Sequence, residues 1–216
     1  MNGKARFVAE APDWFPEGYY QPELVGSGGE GEVWRARASR GPSPVAIKRY
    51  RPETRHSGYR EFSAMLSVRS PHVLAVHEVR DLPSGDLVLV TEFCSGGTLR
   101  RHLSQVESMP ARDVIHMGCQ LLVGLRHIHK AGLFHADLKP ENIFRARAIK
   151  SPQWKIADFG LARREGEAVE GISLTPAYAA PEQYLGYPCK PSDIYSLAVV
   201  LAEAFTADPA WAWALP

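Results

Sequence analysis

Apolar and polar residues change rhythm near the middle of this chain. From Tyr19 to about Phe93 the apolar runs are short and bounded by glycine or proline, as in Glu32-Val-Trp-Arg-Ala-Arg, Pro44-Val-Ala-Ile-Lys and Asp86-Leu-Val-Leu-Val-Thr. Such runs predict strands, and Ser84-Gly85-Asp86 predicts a hairpin turn. One segment breaks the pattern: from about Ser57 to Val68, Tyr59, Phe62, Met65 and Leu66 are spaced for one face of a helix. After Gly96-Gly97 helices take over. A short helix is expected to begin over Thr98 to Leu103. A longer one is expected over Ala111 to Lys130, with Val114, Leu121, Leu125 and Ile128 at helical spacing and Gly132 just past its end. A loop-rich stretch follows, and Ser192 to Phe205 then predicts an apolar helix buried on most sides. A small β-rich half followed by a larger helical half implies an α+β fold of two lobes with a cleft between them. Residues 1–18, with Pro12, Pro16 and Gly18, read as a lead-in. Residues 19–93 read as the N-lobe and 94–216 as the C-lobe.

Composition narrows the function classes. Lys plus Arg number 25 against 24 Asp plus Glu, and a net charge of +1 offers no electrostatic case for nucleic acid or an anionic membrane. Cys94, Cys119 and Cys189 are odd in number and far apart, which argues against a disulfide framework or a zinc site and for a reducing cytoplasm. The opening MNGKARFVAE has no apolar run and does not read as a signal peptide. The longest apolar stretch, Leu197 to Phe205, is interrupted by Glu203 and is too short to span a bilayer.

Chemistry begins at Gly26-Ser27-Gly28-Gly29-Glu30-Gly31-Glu32-Val33. Glycines permit a tight turn and let backbone N–H groups approach phosphate oxygens with no Cβ in the way. A dinucleotide-binding glycine loop opens a helix, whereas Glu32-Val33-Trp34-Arg35-Ala36 reads as a strand. No Gly-Lys-Ser/Thr follows, so a Walker loop is excluded. By themselves the glycines also suit a hairpin without a ligand. Lys48 ends the apolar run Val45-Ala46-Ile47. A lysine so placed can keep its stem packed and point its ammonium at α- and β-phosphates. It then needs a carboxylate to hold it, and Glu61 on the predicted helix is the best candidate.

Downstream stand His135-Ala136-Asp137-Leu138-Lys139-Pro140-Glu141-Asn142, then Asp158-Phe159-Gly160, then Ala180-Pro181-Glu182. With the glycine loop and Val-Ala-Ile-Lys, these motifs stand in the order of the protein kinase family, which residues 19 to 207 resemble. The Lys139-Pro-Glu-Asn142 run and Thr175-Pro-Ala-Tyr178 resemble the Ser/Thr branch, and Gln183 after Ala-Pro-Glu suggests the bacterial Hanks-type group. The resemblance implies a Ser/Thr protein kinase using ATP and Mg²⁺ on a protein substrate that the sequence does not name. It implies that Asp137 accepts or orients the substrate hydroxyl and that Lys139 contacts the γ-phosphate. Asn142 and Asp158 would hold two Mg²⁺ ions, hard cations that take oxygen ligands. Thr175 would contact Asp137 and Lys139. Thr91 would line the back of the adenine pocket, Glu92-Phe93-Cys94 would form the hinge, and Val33, Ala46 and Phe144 would sandwich the ring. Met65, Val76, His135, Phe159 and Asp193 resemble residues that stack lobe on lobe, while His127 and His129 read as helix-surface or packing residues.

Two departures qualify the resemblance. Ala136 stands where the family usually has an arginine that meets a phosphate on the activation loop. Activity independent of loop phosphorylation is therefore expected, with Ser173 the one candidate acceptor between Gly160 and Thr175 and ion pairs in Arg163-Arg164-Glu165-Gly166-Glu167 ordering the loop instead. The chain also stops at Pro216, where kinase domains normally continue through several more helices. The expectation is a C-terminally truncated fold without the arginine that pairs with Glu182. Self-association or marginal stability would follow from the apolar surface of the Ser192–Phe205 helix, partly covered by Trp211 and Trp213. Two other readings stay open: a nucleotide-binding pseudokinase or scaffold, and a small-molecule phosphotransferase. The presence of Lys48, Glu61, Asp137, Asn142 and Asp158 together argues against the scaffold, and Ala-Pro-Glu argues against the small-molecule enzyme.

Overall fold

Strand alternation builds the first half of the molecule. The computed structural model describes residues 6–7, 11–28, 31–42, 44–106, 108–146, 152–164, 167 and 174–206. Six strands, β1 (Arg6–Phe7), β2 (Tyr19–Gly28), β3 (Gly31–Ala38), β4 (Val45–Tyr50), β5 (Val76–Asp81) and β6 (Leu87–Glu92), form an antiparallel sheet. Their order is β1-β2-β3-β4-β6-β5. Because side chains alternate along a strand, the sheet has two distinct faces. On one, Trp34, Ala36, Val45, Ile47, Val88 and Val90 close a core, with Trp14, Phe15, Tyr19 and Leu24 packed against it. Trp14 meets Trp34 edge-on at 5.8 Å between centroids, and the Arg49 guanidinium lies 4.5 Å over the Trp14 ring. Trp14 and Phe15 of the lead-in are thus packed against this core. The opposite face carries the intervening residues of β4, with Ala46 paired to Thr91, Lys48 to Val33 and Leu89, and Tyr50 to Leu87. Gly85, at a φ of +85°, turns the chain from β5 to β6 as the hairpin signal required.

The helix expected from about Ser57 is α1 (Arg55–Leu66), and its buried face differs from the one that apolar spacing selects. Gly58, Glu61, Ala64 and Met65 are buried, whereas Tyr59 and Leu66 are exposed. The cause is steric and electrostatic. A Cβ on Gly58 would come within 2.7 Å of both Tyr50 and Leu87, so glycine lets the helix close on the sheet at that point. Glu61, one turn later, is carried to Lys48, whose charge offsets its burial.

The two compact units of the chain are Met1–Leu66 with Ala75–Phe93, and Ser67–Leu74 with Cys94–Pro216. The second unit holds α2 (Leu99–Leu103), α3 (Ala111–Lys130), β7 (Leu133–Phe134), a 3-10 turn (Pro140–Asn142), β8 (Ile143–Ala146), β9 (Gln153–Ile156), β10 (Arg163–Arg164), α4 (Pro181–Tyr184) and α5 (Lys190–Thr206). Thr98 caps α2 by accepting the Arg101 N–H. Helix α3 has the predicted limits, and Val114, Leu121, Leu125 and Ile128 are all buried, with Met117 beside them. Gly132 follows at a φ of +75°, which ends the helix. Strand β7 pairs with β10 and β8 with β9, both antiparallel, so the stretch read as loop-rich contains short hairpin-like pairings. Helix α5 is less enclosed than expected. It buries Leu197, Val199, Val200 and Ala204 together with Ser192, Asp193, Ser196 and Glu203, while Ile194 and Phe205 are exposed. Trp211 and Trp213 lie outside the described residues. The α+β class and the antiparallel first lobe followed by a mainly helical one stand as expected. No helix among the described residues is long and apolar enough to cross a membrane.

Candidate active site

In the first unit the glycine loop is the turn of the β2–β3 hairpin. Gly26 pairs with Val33, Ser27 with Glu32 and Gly28 with Gly31, and Gly29 lies outside the described residues. These glycines serve different purposes. Gly31 has a φ of +148° and a Cβ there would fall 1.8 Å from the Arg49 carbonyl oxygen, so the fold itself demands glycine. Gly26 and Gly28 have open space where a Cβ would stand, and protein packing gives no reason for them.

Lys48 lies on the sheet face that also carries Val33, Ala46 and Thr91. Its Nζ donates to Glu61 Oε2 at 2.9 Å, which is the pairing expected from the sequence. The Tyr50 hydroxyl donates to the same oxygen, a contact the sequence reading missed. In the segment expected to form the hinge, Glu92 gives its backbone N–H to the Ala75 carbonyl at 2.9 Å, and its carboxylate accepts the Ala75 N–H at 2.7 Å. Cys94 is buried.

In the second unit the catalytic-loop candidates converge. Lys139 Nζ lies 2.6 Å from Asp137 Oδ2 and donates to Thr175 Oγ1 at 2.9 Å. The Thr175 hydroxyl in turn donates to Asp137 Oδ1 at 2.6 Å. Asn142 Nδ2 donates to the Asp137 carbonyl at 2.8 Å and to its carboxylate at 3.2 Å. That commitment of the amide nitrogen presents Asn142 Oδ1 as an acceptor. Phe144, half-buried in β8, is bridged to Thr98. Asp158 sits at a φ of +64°, an unusual backbone for a non-glycine residue and a form of strain that clusters at functional sites. Phe159 is buried beside it, edge-on to His135 at 5.3 Å.

Ala136 has a φ of +67° and is held from both sides. Asp193, buried in α5, accepts the backbone N–H of His135 and of Ala136, each at 2.9 Å, and also contacts His129 Nε2 at 2.8 Å. Of the two readings for His129, helix surface or packing, this contact favours packing: the residue is half-buried. The Ala136 carbonyl accepts Gln183 Nε2 at 2.9 Å, and Gln183 Oε1 accepts the Ala180 N–H at 3.0 Å. So a residue legible only as a family hint clamps the catalytic loop to the start of α4. Replacing Gln183 with leucine leaves both backbone groups buried without a partner. The expected cost is about 1–3 kcal/mol, read by urea denaturation.

A further network ties down the segment after Thr175. Arg100 of α2 donates Nε–H to Glu141 at 2.7 Å, and its Nη atoms donate to Glu203 and to the Tyr178 hydroxyl. Tyr178 donates to Glu203 Oε2 at 2.6 Å. Burial works against the Arg100 charge, but the bonds to Glu203 and Glu141 outweigh it and hold its pKa above the ordinary value. Burial and the Glu203 carboxylate raise that of Tyr178. The only sequence signal of this cluster is Glu203 itself, a charge inside an apolar run. Glu182, expected to lack its arginine, accepts the Ser192 hydroxyl at 2.5 Å. In the run expected to hold ion pairs, Glu167 accepts the Arg164 backbone N–H at 3.1 Å, and Ser173 lies outside the described residues. Among the described residues no cluster of three or more His, Cys, Asp or Glu could hold a metal by itself.

Comparison with known proteins places the chain among relatives of one family. The family profile of the protein kinase domain matches residues 19–214. The NUAK family SNF1-like kinase 2 of Rattus norvegicus is 35% identical over 189 residues, covering 83% of this chain and 29% of the relative. The mitogen-activated protein kinase HOG1B of Wallemia ichthyophaga is 32% identical over 198 residues, 88% of this chain and 52% of its own. The serine/threonine-protein kinase ATG1a of Arabidopsis thaliana is 30% identical over 195 residues, 86% of this chain and 31% of its own. The chain thus spans about a third to a half of the length of these relatives.

Proposed function

The chain belongs to the protein kinase domain family, and on that premise we propose that it transfers the γ-phosphoryl of Mg-ATP to a serine or threonine hydroxyl of a protein. The observation that carries the reading is the hydroxyl already seated at the catalytic loop. Thr175 donates to Asp137 Oδ1 while Lys139 bridges the two, an arrangement that supports reading Asp137 as the carboxylate that receives an alcohol beside a cation.

In the step, the substrate oxygen bonds to the γ-phosphorus as the bond to the β–γ bridging oxygen breaks. The hydroxyl proton passes to Asp137, and ADP leaves. Positioning and charge do most of the work in such a transfer. Lys48, kept in place by Glu61, takes the α- and β-phosphates, and Lys139 takes the charge of the transferred group. Gly26 and Gly28 leave the backbone open to phosphate, while Val33, Ala46, Thr91, Glu92, Cys94 and Phe144 receive the adenine. Asn142 Oδ1 and the Asp158 carboxylate suit Mg²⁺, which when bound neutralises phosphate charge. The Ala136 methyl cannot bond a phosphate, so this proposal includes activity without loop phosphorylation. Residence in a reducing cytoplasm accompanies it, a reading that rests on the odd number and wide separation of Cys94, Cys119 and Cys189 in the sequence. Placement in the bacterial branch rests on Gln183 alone.

The test is incubation of the purified chain with labelled ATP, Mg²⁺ and a generic basic protein. Label is expected on serine or threonine of the protein and is expected to vanish in Lys48→Met. Tight nucleotide binding with no transfer by the wild-type chain would instead favour the scaffold reading, and transfer to an aminoglycoside alone would favour the small-molecule enzyme.

A further inference from the structure

Tyr50 has no part in the motifs, yet its hydroxyl reaches the carboxylate on which the lysine of the phosphate site depends. It lies two residues beyond Lys48 on β4, so strand alternation sends both side chains to the same face. Tyr50 is fully buried and Glu61 is 4% exposed. The Tyr50 hydroxyl and Lys48 Nζ donate to the same oxygen, Glu61 Oε2. The tyrosine ring also lies under the ammonium, with Nζ 4.8 Å from its centroid, a distance at which the ring face attracts a cation. Helix α1 admits this ring only because residue 58 is glycine, since a Cβ there would stand 2.7 Å from Tyr50 Cδ2 and 2.9 Å from Cγ.

We propose that Tyr50 is a positioning residue for phosphoryl transfer: seated in the notch left by Gly58, it locks Glu61 with Oε2 turned to Lys48. The proposal rests on the kinase reading above and adds to it a device internal to the first unit. A glutamate held by one lysine can rotate about its terminal bonds and offer either oxygen. A second donor on the same oxygen removes that freedom, and the buried, rigid ring makes the second donor immobile. Burial first, and the Glu61 charge next, raise the Tyr50 pKa, so the phenol keeps the proton it donates.

The experiment is a double-mutant cycle on the full chain, with Tyr50→Phe, Glu61→Gln and the pair. It is read by kcat and KM for Mg-ATP, by Mg-ATP affinity in calorimetry and by urea denaturation. Tyr50→Phe keeps the ring and removes only the hydroxyl. It is expected to lower kcat/KM for ATP about tenfold in the wild-type background and to have little further effect once Glu61 is glutamine. Gly58→Ala, which removes no polar group, is expected to lower kcat/KM as well, by driving α1 off the ring. Equal effects of Tyr50→Phe in both backgrounds would overturn the proposal. So would coupling seen in stability but absent from kcat/KM and nucleotide affinity, which would leave the bond purely structural. The wild-type chain alone judges the kinase reading. If it binds Mg-ATP without transferring phosphoryl, that reading fails while the affinity cycle still decides whether Tyr50 acts through Glu61. A chain that binds no nucleotide would overturn both.

Discussion

Replacing Asp137 with asparagine is expected to lower kcat for protein phosphorylation by roughly 10²–10⁴-fold, the range in which a positioned general base contributes. Affinity for Mg-ATP should stay close to that of the wild-type chain, because the proposed role sets Asp137 against the substrate hydroxyl and not the nucleotide. The geometry explains why an isosteric side chain cannot substitute. Asp137 accepts from Thr175 on Oδ1 at 2.6 Å, while Lys139 lies 2.6 Å from Oδ2. An asparagine that keeps its oxygen toward Lys139 turns its NH₂ toward Thr175, whose hydroxyl must then accept, so the seat that takes a hydroxyl's proton is lost. The negative charge that receives the substrate proton is lost as well. Single-turnover transfer measured beside calorimetric ATP binding checks both halves of this expectation. Turnover near the wild-type rate would remove Asp137 from the role assigned to it.

The second large effect is on stability. Arg100→Met is expected to cost about 3–5 kcal/mol, the usual result of stripping one partner from a buried charge. Glu203 is 1% exposed and the Arg100 guanidinium is its charged partner, with Tyr178 the third member. Methionine restores the packing of the stem and nothing of the charge. The double change Arg100→Met with Glu203→Gln is expected to cost less than Arg100→Met alone, because no charge is then left buried. Urea denaturation of the wild-type chain and the two variants measures this directly. Activity should fall with stability for a geometric reason. Tyr178 follows Thr175 closely, and its backbone N–H bonds the Thr175 carbonyl at 3.0 Å. Loosening Tyr178 therefore loosens the hydroxyl on Asp137. A larger rise in KM for the protein substrate than for ATP is expected, since the disturbed segment borders the hydroxyl-accepting loop. Stability and kinetics unchanged in Arg100→Met would show that this network is ornamental.

Much of this was legible along the chain. The limits of α3 follow from apolar spacing and Gly132, and β3, β4 and β6 from short apolar runs between glycines and prolines, because local backbone rules decide both. The motif residues were legible because phosphoryl transfer demands particular types, namely backbone-exposing glycines, cations for phosphate and oxygens for a metal. The buried face of α1 was not legible. Apolar spacing favoured Tyr59 and Leu66, but Gly58 and Glu61 go inward, since a notch for Tyr50 and a charge for Lys48 outweigh two apolar side chains. The Gln183 clamp and the Arg100–Tyr178–Glu203 network were hidden for a related reason. Arg100 and Glu203 stand 103 residues apart, and nothing in the neighbourhood of either names the other. The sequence by itself determined which elements form and which chemistry they carry, because those depend on residue type and on neighbours a turn or a strand pair away. The tertiary structure alone decided which side chains hold the chemical groups in place, because a buried hydroxyl, amide or charge acquires its role only from the partner that folding sets opposite it.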